Sequence, residues 1–346
     1  MELFGSAQDP WTWGGALLAA AVVLVFLAVA NHAAARRAER RNPPRGAFVE
    51  VDGVRLHHTD RGTGRPVVLL HGNAVSGDDY DTSGLAERLV GTCRVIVFDR
   101  PGFGHSERPR WRPWAAMEQA ELVHKALARL GVRRPVVVGH SWGTLVALAL
   151  ATRHPADTAG LVLLSGYYFP TLRLDALMVA PGAIPVLGDV LRYTVSPIFG
   201  WLTMPLTKLV MFAPAPVTPR FKAEYSNAMA LRPSQIRATC VDGTFMVPSA
   251  MRLRAHYGEL SLPVAIVAGD GDKIVSHRLA ERLRAAIPGS TLRIVKGAGH
   301  MVHHVATEEV AETVLAVVRA SGDPAAPAGE RRAEAPAPSG DATRAA

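Results

Sequence analysis

The chain has 346 residues, 49% hydrophobic and 20% charged, with a formal net charge of +8. That balance supports a sizeable buried core and excludes wholesale disorder and low-complexity sequence. Its two cysteines, Cys93 and Cys240, exclude a disulfide framework and suit a reducing compartment, and no Cys/His spacing marks a zinc site.

In chain order the first element is an apolar helix. Residues 14–30 carry no charge, and with Trp11, Thr12 and Trp13 the run reaches 20 residues, about 30 Å as a helix. That length matches the hydrocarbon core of a bilayer, and the two tryptophans stand where an interfacial aromatic belt forms. Glu2 and Asp9 precede the run, without Lys or Arg. Arg36, Arg37, Arg40, Arg41 and Arg45 follow it, opposed only by Glu39. A cleaved signal peptide needs a basic leading region. An uncleaved membrane anchor is therefore expected over 1–35, with a signal peptide or a buried helix as competing readings. A basic, proline-bearing linker is expected over 36–46. The arginines after the span put residues 36–346 on the cytoplasmic side by the positive-inside rule. Beside such a span they suit anionic lipid rather than nucleic acid.

Short β-branched runs follow at 48–51, 54–58, 66–70, 94–98, 135–138, 161–164, 264–268 and 292–295. The first two flank Asp52-Gly53, a strong hairpin signal. The later ones are continuously apolar, as in strands buried on both faces of a parallel sheet. Helical stretches at 115–130, 142–153, 277–286 and 307–319 alternate with them, which predicts an α/β sheet flanked by helices. Residues 166–258 break the alternation and predict helices and loops inserted over one end of the sheet. The core then lies in two parts, 47–165 and 259–320. Residues 321–346 hold no aromatic or aliphatic side chain larger than Ala and predict a disordered tail.

The chemistry centres on Gly139-His140-Ser141-Trp142-Gly143, between a strand run and a helix. G-x-S-x-G in that context holds a serine on a sharp turn with its hydroxyl exposed. A serine needs a base oriented by an acid. His300 in Gly297-Ala298-Gly299-His300, just past the last strand run, is the expected base; His303 and His304 belong to the helix that follows. Asp272 in Gly269-Asp270-Gly271-Asp272, past the seventh run, is the expected acid, with Asp270 as rival. The order Ser, Asp, His is that of the α/β-hydrolases. The expected oxyanion donors are the main-chain N–H groups of Trp142 and of Asn73 in His71-Gly72-Asn73-Ala74. His71 is expected to brace that loop.

On these residues the chain resembles the α/β-hydrolase superfamily, in its lidded serine-hydrolase branch, over roughly 47–319. HGNA at 71–74, DRPGFGHS at 99–106, GHSWG at 139–143, GDGDKIV at 269–275 and GAGH at 297–300 carry the resemblance. It implies an eight-stranded, mostly parallel sheet and a helical lid between strands six and seven. It also implies hydrolysis of esters, thioesters, amides or C–C bonds without a cofactor. Haloalkane dehalogenases and epoxide hydrolases are similar around HGN and the elbow tryptophan but use an aspartate nucleophile, which Ser141 argues against. Proline iminopeptidases carry HGGPG, which HGNA does not match. A non-catalytic ligand-binding protein on this fold is the competing class, though such proteins usually have a broken triad.

The expected activity is thus that of a membrane-anchored esterase acting on a small-molecule ester. Apolar residues of the inserted segment, among them Leu177, Met178, Ile184, Phe199, Trp201 and Leu202, are expected to line a pocket for an acyl chain. No dinucleotide site is expected, because Gly102-Phe103-Gly104-His105-Ser106-Glu107 lacks the third glycine and precedes no helix. Adjacent His57 and His58 face opposite ways on a strand and cannot chelate together.

Overall fold

A computed structural model describes residues 10–322 of the protein. The expectations for Glu2 and Asp9, and for the tail beyond Gly322, lie outside the described residues. Eight strands form one sheet: β1 (Ala47–Val51), β2 (Val54–Arg61), β3 (Arg65–Leu70), β4 (Cys93–Phe98), β5 (Val136–His140), β6 (Gly160–Leu164), β7 (Val264–Gly269) and β8 (Thr291–Val295). Their order is β1-β2-β4-β3-β5-β6-β7-β8. β2 runs antiparallel to both β1 and β4, and the remaining pairs are parallel. The hairpin turns at Asp52-Gly53, both at positive φ, the geometry an Asp-Gly pair is suited to adopt.

Successive strand residues feed opposite layers. Val68, Leu70, Val137, Leu161 and Ile266 pack under one set of helices, while Val67, Leu69, Val138, Val162 and Val267 pack under the other. The first layer is closed by α4 (Ala116–Arg129), α5 (Gly143–Arg153) and α12 (Arg278–Ala286). The second is closed by α3 (Leu85–Val90) and α14 (Thr307–Ala320). Burial on both faces explains the unbroken apolar runs of the central strands. Two short helices were not legible in the pattern: α3, and α2 (Asp78–Thr82), whose five residues are too few to show a helical period.

Between β6 and β7 the chain forms α6 (Leu174–Val179), α7 (Leu187–Tyr193), α8 (Val195–Phe212), α9 (Pro219–Glu224), α10 (Asn227–Ala230) and α11 (Pro233–Leu253). A single turn, α13 (Val302–Val305), follows β8.

The N-terminal helix, α1, spans Pro10–Arg41. Its apolar stretch has a mean hydropathy of 2.4 and is not buried by any of the described residues, so by length and composition it is a candidate membrane span. Its end corrects the expected linker. The arginines from Arg36 to Arg41 lie within the helix rather than in an irregular segment, which leaves only residues 42–46 as a connection. These last turns are docked on the inserted helices. Asn31 Nδ2 donates to the carbonyls of Tyr193 and Thr194 at 2.8 and 2.9 Å, Ala38 is buried, and Glu39 pairs with Arg232 at 3.1 Å.

Candidate active site

β3 neighbours both β4 and β5, so the connections diverge there and leave a crevice past the carboxyl ends of the strands. Ser141 follows β5 at that point. Its φ is +51°, a left-handed conformation that costs a non-glycine residue about 1–3 kcal/mol. The surroundings impose it. A Cβ on Gly139 would sit 2.7 Å from the carbonyl oxygen of Gly143, and one on Gly143 would collide with the carbonyl of Leu70. Ser141 N–H donates to Leu164 O at 2.9 Å, tying the turn to β6. α5 begins two residues later, with its N-terminus directed at the crevice.

His300, on the loop after β8, has Nε2 2.8 Å from Ser141 Oγ and Nδ1 2.8 Å from Asp272 Oδ2. The other oxygen of Asp272 accepts from Ile274 N at 2.8 Å and Val275 N at 2.9 Å, which fixes the carboxylate. The rival Asp270 is exposed and accepts from Gly297 N at 2.7 Å, holding the loop that carries His300 rather than its ring. His303 and His304 are buried on α13 and do not reach the serine; both donate Nε2–H to Asp79, at 2.7 and 2.8 Å.

The loop after β3 crosses directly beside Ser141. A Cβ on Gly72 would lie 2.9 Å from His140 Nδ1 and 3.1 Å from Ser141 Cβ. Among the described residues, neither Asn73 N–H nor Trp142 N–H donates in a backbone turn, loop or cap bond. The Asn73 side chain secures the loop instead, with Nδ2 on Thr239 O and Oδ1 on Ala74 N, both at 3.1 Å. His71 is fully buried and braces the loop. Its Nδ1–H donates to Gly72 O, and its Nε2 accepts Arg100 N–H. Burial, then the nearby Arg100 cation, push its imidazole down to about 4, so it stays neutral.

Arg100 itself was not anticipated as a positioning residue, though it lies in the quoted DRPGFGHS stretch. Its guanidinium donates to His71 O and Gly72 O and pairs with Asp242 at 2.6 Å, both side chains fully buried. It also lies over the Trp142 ring, whose Nε1–H donates to Asp242 O. Asp242, which also pairs with Arg108 at 2.8 Å, thus holds both flanks of the crevice, and removing it would leave buried guanidinium charge uncompensated at a cost of about 3–5 kcal/mol. No sequence signal marked Asp242, because it comes from α11, 142 residues away.

Asp79 was missed for the same reason. Against burial, which raises it, His303 and His304 hold its carboxyl well below the usual range. Asp79, His140 and His303 offer ligand atoms within 4.8 Å of one another. The 2.7 and 2.8 Å contacts of Asp79 are hydrogen bonds, shorter than the ~3.3 Å between ligands of a tetrahedral zinc. The cluster supports the loop that carries His300: His140 Nε2–H donates to His300 O at 3.1 Å.

The inserted helices depart from expectation. Leu177, Met178, Ile184, Phe199, Trp201 and Leu202 are all exposed on the outer surface, Trp201 by 65%, so they do not line an internal pocket. The end of α8 turns inward, where Phe212 is buried and Met211 O accepts from Met301 N beside His300, and α9 and α11 bury Phe221, Met246 and Leu253.

Residues 67–313 match the model of the "Alpha/beta hydrolase family". Among curated relatives, 2-hydroxymuconate semialdehyde hydrolase of Pseudomonas putida is 34% identical over 45% of this chain, a match spanning only 55% of that enzyme. Haloalkane dehalogenase 2 of Mycobacterium tuberculosis is 27% identical over 75% of this chain and 90% of its own length. Among solved structures, that of a membrane phospholipase A described as a bacterial virulence factor superposes with a TM-score of 0.62 at 22% identity. It covers 90% of this chain and 98% of its own.

Proposed function

Since the chain belongs to the alpha/beta hydrolase family, we propose that it is a membrane-anchored serine hydrolase cleaving carboxylic esters with apolar acyl groups. The observation that carries this reading is the continuous relay from Asp272 through His300 to Ser141, with 2.8 Å at each link, on an elbow at positive φ.

In this reading Ser141 Oγ attacks the ester carbonyl and His300 Nε2 takes its proton. Asp272 keeps the imidazole in the tautomer with Nδ1–H and stabilises the imidazolium that forms. The N–H groups of Asn73 and Trp142 receive the oxyanion, each donor contributing about 3–4 kcal/mol to the barrier reduction. His300 returns the proton to the leaving alcohol, then activates the water that cleaves the acyl-enzyme. The nucleophile separates this chain from the aspartate chemistry expected of a dehalogenase.

The membrane reading rests on α1 and on what is docked to it. Asn31 stands just past the uncharged run and bonds to the junction of α7 and α8, which would hold that junction at the bilayer surface. α8 then presents Ile198, Phe199, Trp201, Leu202, Leu206 and Leu209 outward. Exposed apolar side chains of this size, continuous with an apolar span, suit lipid contact. The inserted helices would serve as a lid facing the membrane, where apolar esters concentrate. The likeness to the membrane phospholipase fold extends over more of the chain than residues 47–320 account for, which supports α1 as part of the same assembly.

A fluorophosphonate probe tests the reading. Labelling of the full chain in detergent that disappears in Ser141→Ala supports it. A folded wild-type protein that does not label would instead indicate the non-catalytic class.

A further inference from the structure

On the side of the insertion nearest α1 lies a second cavity, of about 530 Å³, away from Ser141. Arg108 and Arg110 reach it from the segment after β4, Arg192 from α7, and Arg232 and Arg237 from the start of α11. We propose that this cavity is a binding site for a phosphate-bearing anion.

The charges around it do not balance locally. Asp189 serves both Arg110, through two bonds at 2.6 and 2.9 Å, and Arg192 at 2.8 Å. Asp242 serves Arg108 at 2.8 Å but also the buried Arg100. Glu39 serves Arg232 and, at 3.6 Å, Arg36. Glu107 also lines the cavity and lies 3.9 Å from Arg55. Arg237 has no carboxylate partner among the described residues; its guanidinium donates only to the carbonyl of Arg108, at 3.1 Å. Burial, then the cations of Arg108, Arg110 and Arg192, push it down to about 10.

Two guanidinium nitrogens of these side chains also lack partners. Nε of Arg108 and Nε of Arg192 are buried without a partner, on side chains only 3% and 8% exposed. Gathering five guanidinium groups around one cavity is costly unless an anion offsets them. Phosphate does so with up to two charges and acceptor oxygens that match the guanidinium fork. A carboxylate brings one charge and fewer acceptors.

The position narrows the source. Glu39 lies eight residues beyond Asn31, about 12 Å further along α1, on the polar side of the proposed span. Both a lipid phosphate and a free phosphate ester can reach such a site. The anion site itself does not depend on the catalytic reading, whereas the lipid source depends on α1 spanning a bilayer.

The test is calorimetric titration of the full chain in nonionic detergent. The probes are inorganic phosphate, glycerol 3-phosphate and a short ether-linked phosphatidic acid below its micelle concentration. The ether linkage prevents an acyl hydrolase from consuming the ligand. Saturable binding of at least one probe is expected, weakened about tenfold or more by Arg237→Gln. Arg293→Gln, on the distant β8 surface, is expected to leave the affinity unchanged. Arg110→Gln, at the exposed rim, should also weaken binding and serves if Arg237→Gln lowers the melting temperature. Preference for the ether lipid identifies a headgroup site, and equal affinity for glycerol 3-phosphate identifies a soluble phosphate ester. No saturable binding of any probe at millimolar concentration, or affinities unchanged in both folded variants, would overturn the proposal.

Discussion

His300 Nε2 lies 2.8 Å from Ser141 Oγ although the two residues are 159 positions apart. The ring is aimed by Asp272, not by Asp270, because Asp270 is spent on the main chain of Gly297. Ser141→Ala and His300→Ala are therefore expected to lower kcat by about 10⁵–10⁶-fold, and Asp272→Asn by about 10⁴-fold. Asp270→Asn should stay within about threefold, the range of an exposed substitution. Hydrolysis of p-nitrophenyl butyrate measures all four. Full activity in Asp272→Asn with loss in Asp270→Asn would reverse the assignment.

Gly72→Ala tests the proposed oxyanion loop without removing a donor. The new Cβ would press on His140 Nδ1 and Ser141 Cβ, shifting the loop by a fraction of an ångström. A displacement of that size is expected to lower kcat at least severalfold, toward the roughly 100-fold that a 1 Å misplacement costs, with the melting temperature falling by only a few degrees. Unchanged turnover would show that this loop does not receive the oxyanion.

His71 makes stability sensitive to acid. In the unfolded chain it titrates near its ordinary 6.5, and in the folded protein near 4. Between those values the unfolded chain binds a proton that the native state does not. The stabilisation is complete above pH 6.5 and falls as pH drops toward 4, by roughly 3 kcal/mol in all. Burial lowers His140 and His303 as well, which adds loss in the same direction. Urea unfolding at pH 7.5 and pH 5 should show the drop, and His71→Gln should make it shallower. A pH-independent midpoint would mean that His71 is protonated in the folded state.

The outer face of α8 is expected to matter for substrates in a bilayer and not for those in solution. Leu202→Asp combined with Leu206→Asp places two charges where lipid is proposed to sit, a cost of about 2–3 kcal/mol for each if fully inserted. Hydrolysis of long-chain esters presented in vesicles should fall at least about tenfold, while p-nitrophenyl acetate in solution is cleaved at an unchanged rate. The wild-type chain should prefer octanoate to acetate. Higher kcat/KM for acetate would refute the apolar acyl assignment.

Placement follows from α1. Activity is expected in the membrane fraction, resistant to salt washing and released by detergent. Protease added outside intact spheroplasts should spare the catalytic domain. Digestion of that domain with the membrane sealed would invert the topology, and release by salt alone would show that α1 does not span.

The sequence by itself determined the sheet and the serine-bearing turn at its edge. Strand runs buried on both faces must be continuously apolar, and Asp52-Gly53 must turn. Ser141 between Gly139 and Gly143 needs a strand–turn–helix to make sense. These are local constraints, so periodicity and spacing carry them, and all eight strand runs are found within a few residues of their expected bounds. The tertiary structure decided what depends on groups far apart in the chain. The choice of Asp272 over Asp270 turns on which carboxylate the β7 loop aims at His300. Asp79 and Asp242, buried and paired with side chains more than a hundred residues away, have no local signature at all. The apolar residues of the insertion misled for the same reason. Composition shows that they are apolar, but only the tertiary arrangement shows that they turn outward rather than toward the crevice.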